Sequence, residues 1–410
     1  MKSPTSYPKD KINVLLLEGV HPTAIRMFKD AGYENVEALK GALPEKELMV
    51  KIKQVHLLGI RSKTQLTANV IQSAPKLIAA GAFCIGTNQI DMPFATDKGV
   101  AIFNSPYSNT RSVAEMVIGH CITLLRRIPE KSALMHLGTW DKSADGCHEV
   151  RGKILGIVGY GHIGSQVSVL AESLGMQVVF HDVEPKLSLG NAKKAASLDQ
   201  LLKHSDIVTL HVPGSASTKN LINANTIRKM KRGSVLINLS RGDVMDSKAV
   251  AAALKSGQIA SLAVDVFEQE PKSNNDPFTS VFQGLPNVVL TPHIGGSTAE
   301  AQESIGVDVA TKLISFLETG STTGSLSVPA LSLPVQHDAH RLLHIHKNVP
   351  GVLSDINGLL SSMKVNILGQ YLKTNSDIGY VVVDVDRRTS SKVLEALSKV
   401  RNTVRVRQLY

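Results

Sequence analysis

The chain has 410 residues, 43% of them hydrophobic, and its 45 Lys and Arg against 35 Asp and Glu give a formal charge of +10. This length suits two to four domains, and the composition is that of a globular protein with several buried cores. No run of about 18 apolar residues indicates a membrane span, and the polar N-terminus lacks the apolar segment of a secretory signal. We therefore expect a cytoplasmic protein that does not bind membranes.

The positive charge is spread along the chain and is not combined with aromatic residues. The sequence contains one tryptophan, whereas single-strand nucleic-acid binders combine basic grooves with stacking aromatics. We expect no nucleic-acid partner and a diffuse field that attracts small anions. The three cysteines (Cys84, Cys121 and Cys147) fit neither a metal-ligand spacing nor a redox pair, which predicts a reducing compartment and no metal site.

Two series of alternating strands and helices precede a third, different pattern. The first series predicts a parallel sheet with strands at 12–17, 55–60, 77–83 and 100–103. After a long helix at 112–128, the second predicts a complete nucleotide-binding sheet with strands at 154–158, 177–181, 207–210, 235–239, 262–266 and 288–290. A helix follows, and we expect Ser297 to cap its first turn because Glu300 completes a capping box.

The last part of the chain predicts a split β-α-β-β-α-β unit. Its strands are predicted at 341–346, 366–372, 380–386 and 403–409, and its helices at 351–362 and 391–400. The preceding segment is rich in Ser, Thr, Gly and Pro, which indicates a linker over 321–338.

The strongest single motif is a glycine-rich turn between an apolar strand and a helix. Gly159 permits the tight turn, Gly161 lets the backbone approach a pyrophosphate, and Gly164 lets the helix and strand pack closely. The helix N-terminus favours phosphate binding. Asp182, at the end of the next strand, can accept bonds from ribose hydroxyls and would repel a 2′-phosphate, which favours NAD over NADP. The alternative is a glycine turn without a ligand and a surface aspartate.

Three residues follow the later strands of the second sheet: Arg241, Glu270 and His293. The carboxyl ends of parallel strands share one edge, so these residues are expected to lie near the nicotinamide. A histidine can take the hydroxyl proton of a 2-hydroxy acid, a carboxylate can orient it, and an arginine can hold the substrate carboxylate. Each residue alone also fits a structural role, since the chain has 14 histidines and Glu270 lies in an acidic loop.

These residues, with the runs GIRS at 59–62, GAFCIGTNQID at 81–91, SNTRSVAE at 108–115 and TPHIGG at 291–296, closely resemble the D-isomer-specific 2-hydroxyacid dehydrogenases. The resemblance covers nearly the whole chain and is strongest to the three-domain, bacterial-type members that oxidise D-3-phosphoglycerate in serine synthesis. It implies that Arg241, Glu270 and His293 are catalytic. It also implies NAD contacts at Gly159, Gly161, His162, Ile163, Gly164, Asp182, Leu239, Ser240, Arg241, Asp265, His293, Gly295 and Gly296.

The resemblance further implies a domain organisation. A flavodoxin-like substrate-binding domain would comprise 1–108 and a return helix at 299–320, a Rossmann-type NAD-binding domain 109–298, and a ferredoxin-like ACT regulatory domain 339–410. Substrate contacts are implied at Arg61, Ser62 and Asn109. Lys142, beside the single tryptophan Trp140, is a further candidate that would reach a neighbouring subunit; the alternative is a solvated surface lysine. The wider family often has an arginine where this chain has Phe83.

The ACT-like pattern implies an L-serine site at His346, Asn348 and Asn366, feedback inhibition, and a homo-oligomer, with a tetramer expected. Polar side chains at a strand-to-helix turn could clamp the serine zwitterion; the alternative is an ordinary polar turn in a domain used only for oligomerisation. Two other functions stay open. Some NAD-binding corepressors share this fold but lack such a tail. The substrate could also be another 2-hydroxy acid, and reduction of 2-oxoglutarate is a conceivable side reaction.

Overall fold

The computed structural model describes residues 8–271, 275–336, 339–386 and 391–409. The chain forms two compact units. One joins the described residues up to Ser108 with those from Gln302 onwards, and the other comprises Asn109–Ala301. Among the described residues, no helix is long and apolar enough to span a membrane, and no cluster of three His, Cys, Asp or Glu side chains could hold a metal ion.

The N-terminal part forms a five-stranded parallel sheet in the order β2-β1-β3-β4-β5. Its elements are β1 (Val14–Leu16), α1 (Pro22–Asp30), β2 (Val36–Ala38), α2 (Glu45–Lys51), β3 (Leu57–Ile60), α3 (Ala68–Gln72), β4 (Ala79–Ala82), α4 (Met92–Asp97) and β5 (Ala101–Asn104). Every residue of β3, β4 and β5 is buried, because helices cover both faces of the sheet. The strand order is that of flavodoxin-like domains.

The second unit contains a seven-stranded parallel sheet in the order β12-β11-β10-β9-β6-β7-β8. Its elements are α5 (Thr110–Leu125), α6 (Ile128–His136), β6 (Ile154–Val158), α7 (His162–Ser173), β7 (Gln177–His181), β8 (Lys193–Lys194), α8 (Leu198–His204), β9 (Ile207–Leu210), α9 (Ala224–Ile227), β10 (Ser234–Asn238), α10 (Ser247–Lys255), β11 (Ile259–Val264) and β12 (Val288–Leu290). The strand order reverses between β6 and β9, and ligands of such sheets bind at this switch point.

A long helix, α11 (Ala299–Thr319), follows the nucleotide sheet. From Gln302 onwards it belongs to the first unit, where it packs against β4. A Cβ atom added to Gly81 would lie 2.5 Å from Val309 and 2.9 Å from Leu313. The missing side chain of Gly81 therefore lets the helix approach the strand closely.

The C-terminal part forms an antiparallel sheet in the order β14-β15-β13-β16. Its elements are β13 (Ala339–Lys347), α12 (Val352–Ser362), β14 (Ile367–Thr374), β15 (Ile378–Asp386), α13 (Ser391–Ser398) and β16 (Thr403–Leu409). One face packs against the two helices, whereas Leu343, Ile345 and Tyr380 on the other face share a core with the N-terminal sheet. The predicted fold class, with Rossmann-type, flavodoxin-like and ferredoxin-like parts, is confirmed.

Some local expectations were wrong. The helix predicted over 112–128 is α5 (Thr110–Leu125), which ends earlier than predicted because Arg127, before α6, adopts a left-handed conformation with φ 52°. The hydroxyl that caps α11 belongs to Thr298, which accepts a bond from Ala301 N at 3.1 Å, and not to Ser297. The short strands β2 and β8 were not predicted; their residues are half-buried or exposed, so they lack the apolar alternation that marks a strand.

The segment predicted as a linker contains neither helix nor strand over 321–336, and residues 337 and 338 lie outside the described residues. Its side chains are nevertheless packed. The Ser327 hydroxyl donates to Val100 O at 2.7 Å and accepts from Ile102 N at 2.9 Å, and the buried Thr322 hydroxyl donates to Pro329 O. This segment is bound along the edge of β5.

A fully buried ion pair lies within the C-terminal sheet, and its arginine also bonds the end of α11 and the segment that follows it. Arg341 donates to Asp384 through Nε at 2.7 Å and Nη2 at 2.8 Å. Its Nη1 donates to Thr319 O at 2.9 Å and Pro334 O at 2.8 Å. Both side chains are at most 1% exposed, so removing either one leaves a buried charge without its partner.

We expect Asp384→Ala to lower the free energy of unfolding by about 3–5 kcal/mol, the usual cost of breaking a buried pair. Thermal and urea denaturation followed by circular dichroism would measure this. Glu395→Ala removes one partner of the exposed Lys399 pair and should change the midpoint little. Equal midpoints for the two variants would contradict the structural importance of Asp384.

Candidate active site

In the glycine-rich turn between β6 and α7, two glycines are closely packed and the third faces open space. Gly159 has φ 92°, and a Cβ atom there would lie 2.4 Å from His211 O. At Gly164 an added Cβ would lie 2.2 Å from Gly159 O, whereas nothing lies within 4 Å of one at Gly161. Gly159 and Gly164 thus allow close backbone packing, and Gly161 leaves an open approach that fits a pyrophosphate.

The N-terminus of α7 faces this opening. The helix begins at His162, and its N-cap residue, Gly161, has no side chain that could bond the first amides. His162 is exposed and Ile163 is half-buried. The uncapped amides and the positive end of the helix dipole are suited to a phosphate group.

Asp182 follows β7 and organises the same turn. Its carboxylate accepts from Tyr160 N at 2.7 Å and from Glu184 N at 2.9 Å. A carboxylate has about four acceptor sites, so this geometry leaves capacity for ribose hydroxyls. Tyr160 stacks on Phe180 with ring centroids 3.8 Å apart, which fixes the backbone of the turn from below.

The turn after β10 is held by a residue that the sequence analysis missed. Asn238 is fully buried; its Oδ1 accepts from Ser240 N at 3.1 Å and Ser240 Oγ at 2.9 Å. Its Nδ2 donates to Arg241 O at 2.9 Å. Leu239 and Ser240 are buried, and Arg241 is half-buried. A polar residue at the end of the apolar run at 235–237 was the available signal, because a buried amide requires partners.

The turn with Arg241 and the loop with Glu270 lie in direct backbone contact. A Cβ atom added to Gly242 would lie 2.0 Å from the carbonyl carbon of Phe267 and 2.4 Å from Glu268 N. No larger residue fits at Gly242 without moving one of the two loops. The Glu270 carboxylate turns back to accept from Phe267 N at 3.1 Å, which directs it along the same edge of the sheet.

His293 and Glu270 form the central pair of the site. His293 Nδ1 lies 2.8 Å and 3.1 Å from the two carboxylate oxygens of Glu270. With Nδ1 donating to the carboxylate, Nε2 is the nitrogen that can exchange a proton with a ligand. The imidazole is about half exposed, with 51% of its side-chain surface accessible, so a substrate can reach it.

The charges around this pair favour the protonated imidazole. The hydrogen bond that His293 donates to Glu270 raises the pKa of His293 above its ordinary value, although burial and the charge of Arg241 act in the opposite direction. Burial acts to raise the pKa of Glu270, but the bond to His293 and the nearby charges, including Arg241, keep that pKa below its usual value. The trio is therefore an ionised carboxylate, a basic imidazole and a cation at one rim.

A buried carboxylate holds the loop that carries His293. Asp265, 1% exposed, accepts from Thr291 Oγ1 at 2.6 Å, Ile294 N at 2.8 Å and Gly295 N at 2.8 Å. His293 itself has φ 56°, a left-handed conformation that is unfavourable for a residue with a side chain. The three bonds to Asp265 stabilise this conformation.

The residues predicted to bind substrate lie in both units. Asn109 approaches Gly296, where an added Cβ would lie 2.1 Å from its Nδ2, and its buried Oδ1 has no hydrogen-bond partner among the described residues. Arg61 and Ser62 follow β3 in the first unit. Lys142 is exposed in the segment after α6, and in the described part of the chain no hydrogen bond or ion pair joins its side chain to the rim of the nucleotide sheet.

The residues predicted to bind an effector are separated within one chain. His346, 4% exposed, pairs with Gly379 of β15, and Asn348 Nδ2 donates to Asn375 O at 2.6 Å at the same end of the sheet. Asn366 precedes β14 at the other end, where Ile367 pairs with Val385. Six residues of β15 separate the two ends, a distance of about 20 Å for an extended strand.

The Rossmann-type sheet, the open glycine turn and the His–Glu pair with its arginine define an NAD-dependent dehydrogenase. A family model described as the NAD-binding domain of D-isomer specific 2-hydroxyacid dehydrogenases matches residues 118–295, and one described as an AHAS small subunit-like ACT domain matches 342–405. In addition, this chain resembles the solved structure of D-lactate dehydrogenase from Aquifex aeolicus, complexed with NAD and lactic acid. The TM-score is 0.66 at 27% identity, covering 78% of this chain and 100% of the other.

Curated relatives are similar over the full length. D-3-phosphoglycerate dehydrogenase of Haemophilus influenzae is 52% identical over 410 residues, which is 100% of both chains. The protein of the same name from Escherichia coli K12 is 52% identical over 407 residues, 99% of both. The chain belongs to the D-isomer specific 2-hydroxyacid dehydrogenases and, among them, to the D-3-phosphoglycerate dehydrogenase family. NAD is its cofactor.

The Glu270 bond to His293 should set the pH dependence of turnover. A base must be neutral to accept a proton, so kcat/KM for hydroxy-acid oxidation should rise as pH increases through the raised pKa of His293. Reduction of the oxo acid should fall over the same interval. Glu270→Gln removes the charge that raises this pKa, so the pH profiles of oxidation and of reduction should both move to lower pH. The value of kcat/KM should also fall on the order of tenfold or more.

Glu268→Gln is the matched control, because Glu268 lies in the same loop but bonds Ser247 Oγ at 3.1 Å and not His293. Its pH profile should coincide with that of the unmodified enzyme. A Glu270→Gln profile that also coincided would show that the carboxylate does not tune His293.

Proposed function

We propose that this chain oxidises D-3-phosphoglycerate to 3-phosphohydroxypyruvate, the first step of phosphorylated L-serine synthesis. The carrying observation is the His293–Glu270 pair beside Arg241 on the rim of the nucleotide sheet. A proton acceptor next to a cation suits an acid whose hydroxyl group neighbours its carboxylate. The identity of 52% over the whole length to relatives named D-3-phosphoglycerate dehydrogenase supports the choice of acid.

His293 acts as the acid and base of this reaction. Oxidation at C2 of the substrate removes a hydride from carbon and a proton from the hydroxyl group. When bound, NAD supplies the hydride acceptor. His293 takes the hydroxyl proton at Nε2, since its Nδ1 is bonded to Glu270, and the ionised Glu270 stabilises the resulting imidazolium.

Arg241 binds the substrate carboxylate. Its guanidinium is permanently charged and offers a planar fork that matches a carboxylate. The Asn238 amide and Gly242 hold the backbone on either side of it, so the fork is positioned before the substrate arrives. In the reverse direction the same charge polarises the carbonyl of the oxo acid.

The phosphate end of the substrate is assigned to Arg61, Ser62, Asn109 and Lys142. Phe83, which replaces the arginine common in the wider family, is only 2% exposed and packs against Gly59. It offers no charge to a substrate, so the cationic group has to come from another loop. Arg61 provides a fork, and Lys142 a point charge.

L-serine is proposed as a feedback inhibitor that binds to the ACT domain. Burial lowers the pKa of His346, which keeps its imidazole neutral at physiological pH, and its Nδ1 has no partner within the described residues. Asn348 and Asn366 supply amides that can bond the two charged ends of an amino acid. These groups lie at opposite ends of one sheet, so one chain supplies only half of the site.

Pairing between two chains would complete this site. The strand β14 is an edge strand whose residues are mostly exposed, and an unpaired edge can bind the same strand of another chain. Antiparallel pairing of two β14 strands would bring Asn366 of a second copy to the end of the sheet where His346 and Asn348 lie. The serine site and dimerisation of the ACT domain are therefore one proposal.

A homotetramer requires a second interface. Leu137 and Trp140, after α6, are 81% and 77% exposed, which is unusual for large apolar side chains unless a partner covers them. We assign this surface to the second contact between copies. The enzyme is expected in the cytoplasm, which agrees with free thiols at all three cysteines.

The substrate assignment can be tested by following NADH absorbance with four oxo acids: 3-phosphohydroxypyruvate, 2-oxoglutarate, glyoxylate and pyruvate. We expect 3-phosphohydroxypyruvate to have the highest kcat/KM and 2-oxoglutarate, which also carries two anionic ends, to be reduced more slowly. His293→Ala should lower kcat by a factor on the order of 100 or more and leave NAD binding nearly unchanged.

A preference for one of the other oxo acids would redirect the substrate assignment. Undiminished turnover by His293→Ala would contradict the mechanism. A chain that bound NAD but reduced none of the four acids would favour the corepressor-type function.

The shared serine site predicts complementation between two inactive forms. Asn348→Ala and Asn366→Ala should each abolish inhibition by L-serine while leaving turnover intact. In hybrids of the two variants, one of the two sites in each ACT pair contains both native asparagines. Hybrids purified with two different affinity tags should therefore regain inhibition, with serine binding at about half the sites, measured by calorimetry.

Asn225→Ala, an exposed substitution in the nucleotide unit, serves as the control and should keep full inhibition. Insensitive hybrids would place the site within one chain, and full inhibition of both single variants would exclude these asparagines from it.

A further inference from the structure

The turn after β1 contains a strained, buried glutamate. Glu18 has φ 63° and the next residue, Gly19, has φ 62°. The left-handed conformation suits Gly19 but is unfavourable for Glu18, and Glu18 is only 9% exposed. A charged side chain that is both buried and strained requires compensating contacts.

Those contacts are backbone amides of the loop after β3. Glu18 Oε1 accepts from Arg61 N at 3.1 Å and Thr64 N at 2.8 Å, and Oε2 accepts from Lys63 N at 3.0 Å. Three N–H dipoles thus surround one carboxylate, as they would surround a bound anion. The conformation of the loop 61–64 is fixed by a side chain from the turn after β1.

Arg61 is the residue held most completely. Besides its amide, its Nη1 donates to Glu18 O at 3.4 Å, and its carbonyl accepts from Gln89 Nε2 at 2.6 Å. The backbone carbonyl of Glu18 accepts from the guanidinium, whereas its side-chain carboxylate accepts from backbone amides. Across the described residues, no ion pair joins Arg61 to a carboxylate, so in that part of the chain no carboxylate neutralises its charge.

We propose that Glu18 is a positioning residue that fixes the Arg61 loop and thereby determines the preference for a phosphorylated substrate. This inference depends on the proposed function, in which Arg61 contacts the phosphate group. Arg61 is held at its backbone N–H, its carbonyl and one guanidinium nitrogen. Its side chain therefore loses little conformational freedom when it binds an anion. The carboxylate stabilises a cationic loop without pairing with the cation itself.

The substitution Glu18→Gln removes the charge of the side chain and keeps its size and shape. In Glu18→Gln the amide nitrogen replaces one acceptor oxygen, so at least one of the three loop N–H groups faces a donor. The loop should loosen, and KM for 3-phosphohydroxypyruvate should rise on the order of tenfold. The kcat value and the Kd for NADH should stay within about twofold, because His293, Arg241 and the glycine turn are unchanged.

Two measurements distinguish positioning from general stabilisation. Selectivity, the ratio of kcat/KM for 3-phosphohydroxypyruvate to that for pyruvate, should fall on the order of tenfold in Glu18→Gln, since pyruvate carries no phosphate. Amide hydrogen exchange at Arg61, Lys63 and Thr64 should accelerate specifically. Glu18→Gly, which suits the left-handed backbone and admits water to the amides, should give the same selectivity change if Glu18→Gln folds poorly.

A double-mutant cycle tests whether Glu18 acts through Arg61. In an Arg61→Ala background, Glu18→Gln should not raise KM further, because the positioned group is gone. Glu37→Gln removes the exposed carboxylate that pairs with Lys51 in the same unit and should leave KM, selectivity and exchange unchanged.

The possible failures are distinct. Additive effects of Glu18→Gln and Arg61→Ala, or unchanged selectivity in both Glu18 variants, would overturn the positioning role. Absence of turnover of 3-phosphohydroxypyruvate by the unmodified enzyme would instead contradict the proposed function. In that case the exchange rates in Glu18→Gln would still decide whether the glutamate holds the loop.

Discussion

The geometry of the active site depends on Asp265, a buried carboxylate at the end of β11. It accepts bonds from Thr291, Ile294 and Gly295, on both sides of His293, whose backbone is left-handed. Without these bonds, nothing would offset the free-energy cost of the left-handed conformation of His293. The His293 ring would then no longer point to Glu270, and neither the choice of tautomer nor the raised pKa of the imidazole would persist.

The same physical device recurs in three loops. Asp265 accepts amides of the His293 loop, Asp182 accepts the amide of Tyr160 in the dinucleotide turn, and Glu18 accepts three amides of the Arg61 loop. In each case backbone N–H groups of the loop donate to the carboxylate. In the Glu18 loop this leaves the charge of the Arg61 guanidinium available for an anion, which is what an enzyme for a doubly anionic substrate requires.

The bounds of many strands could be predicted from the sequence, but the hydrogen bonds that hold the loops of the active site could not. Strands β6, β7, β9 and β12 were predicted near or at their bounds, because buried parallel strands are continuous apolar runs and each is followed by a polar rim. Arg241, Glu270 and His293 could be inferred from that rim. Asn238 and Glu18 could not, since their roles depend on hydrogen bonds between loops that are distant in sequence. The break at Arg127 also escaped, because helical periodicity does not register one left-handed residue.

The C-terminal sheet is bonded to the last turn of α11 by three side chains. Arg341 donates to Thr319 O, and Arg407 donates to Leu317 O at 2.7 Å. Tyr380 Oη donates to Gly320 O at 2.6 Å. The same helix packs against Gly81 of β4, which is paired with β3, the strand that leads into Arg61. A displacement of the C-terminal sheet would therefore be transmitted through closely packed backbone towards the Arg61 loop, because packed cores shift as bodies instead of deforming continuously. For the effector proposed above, this continuity is a physical route to substrate affinity that does not require any change in the dinucleotide turn.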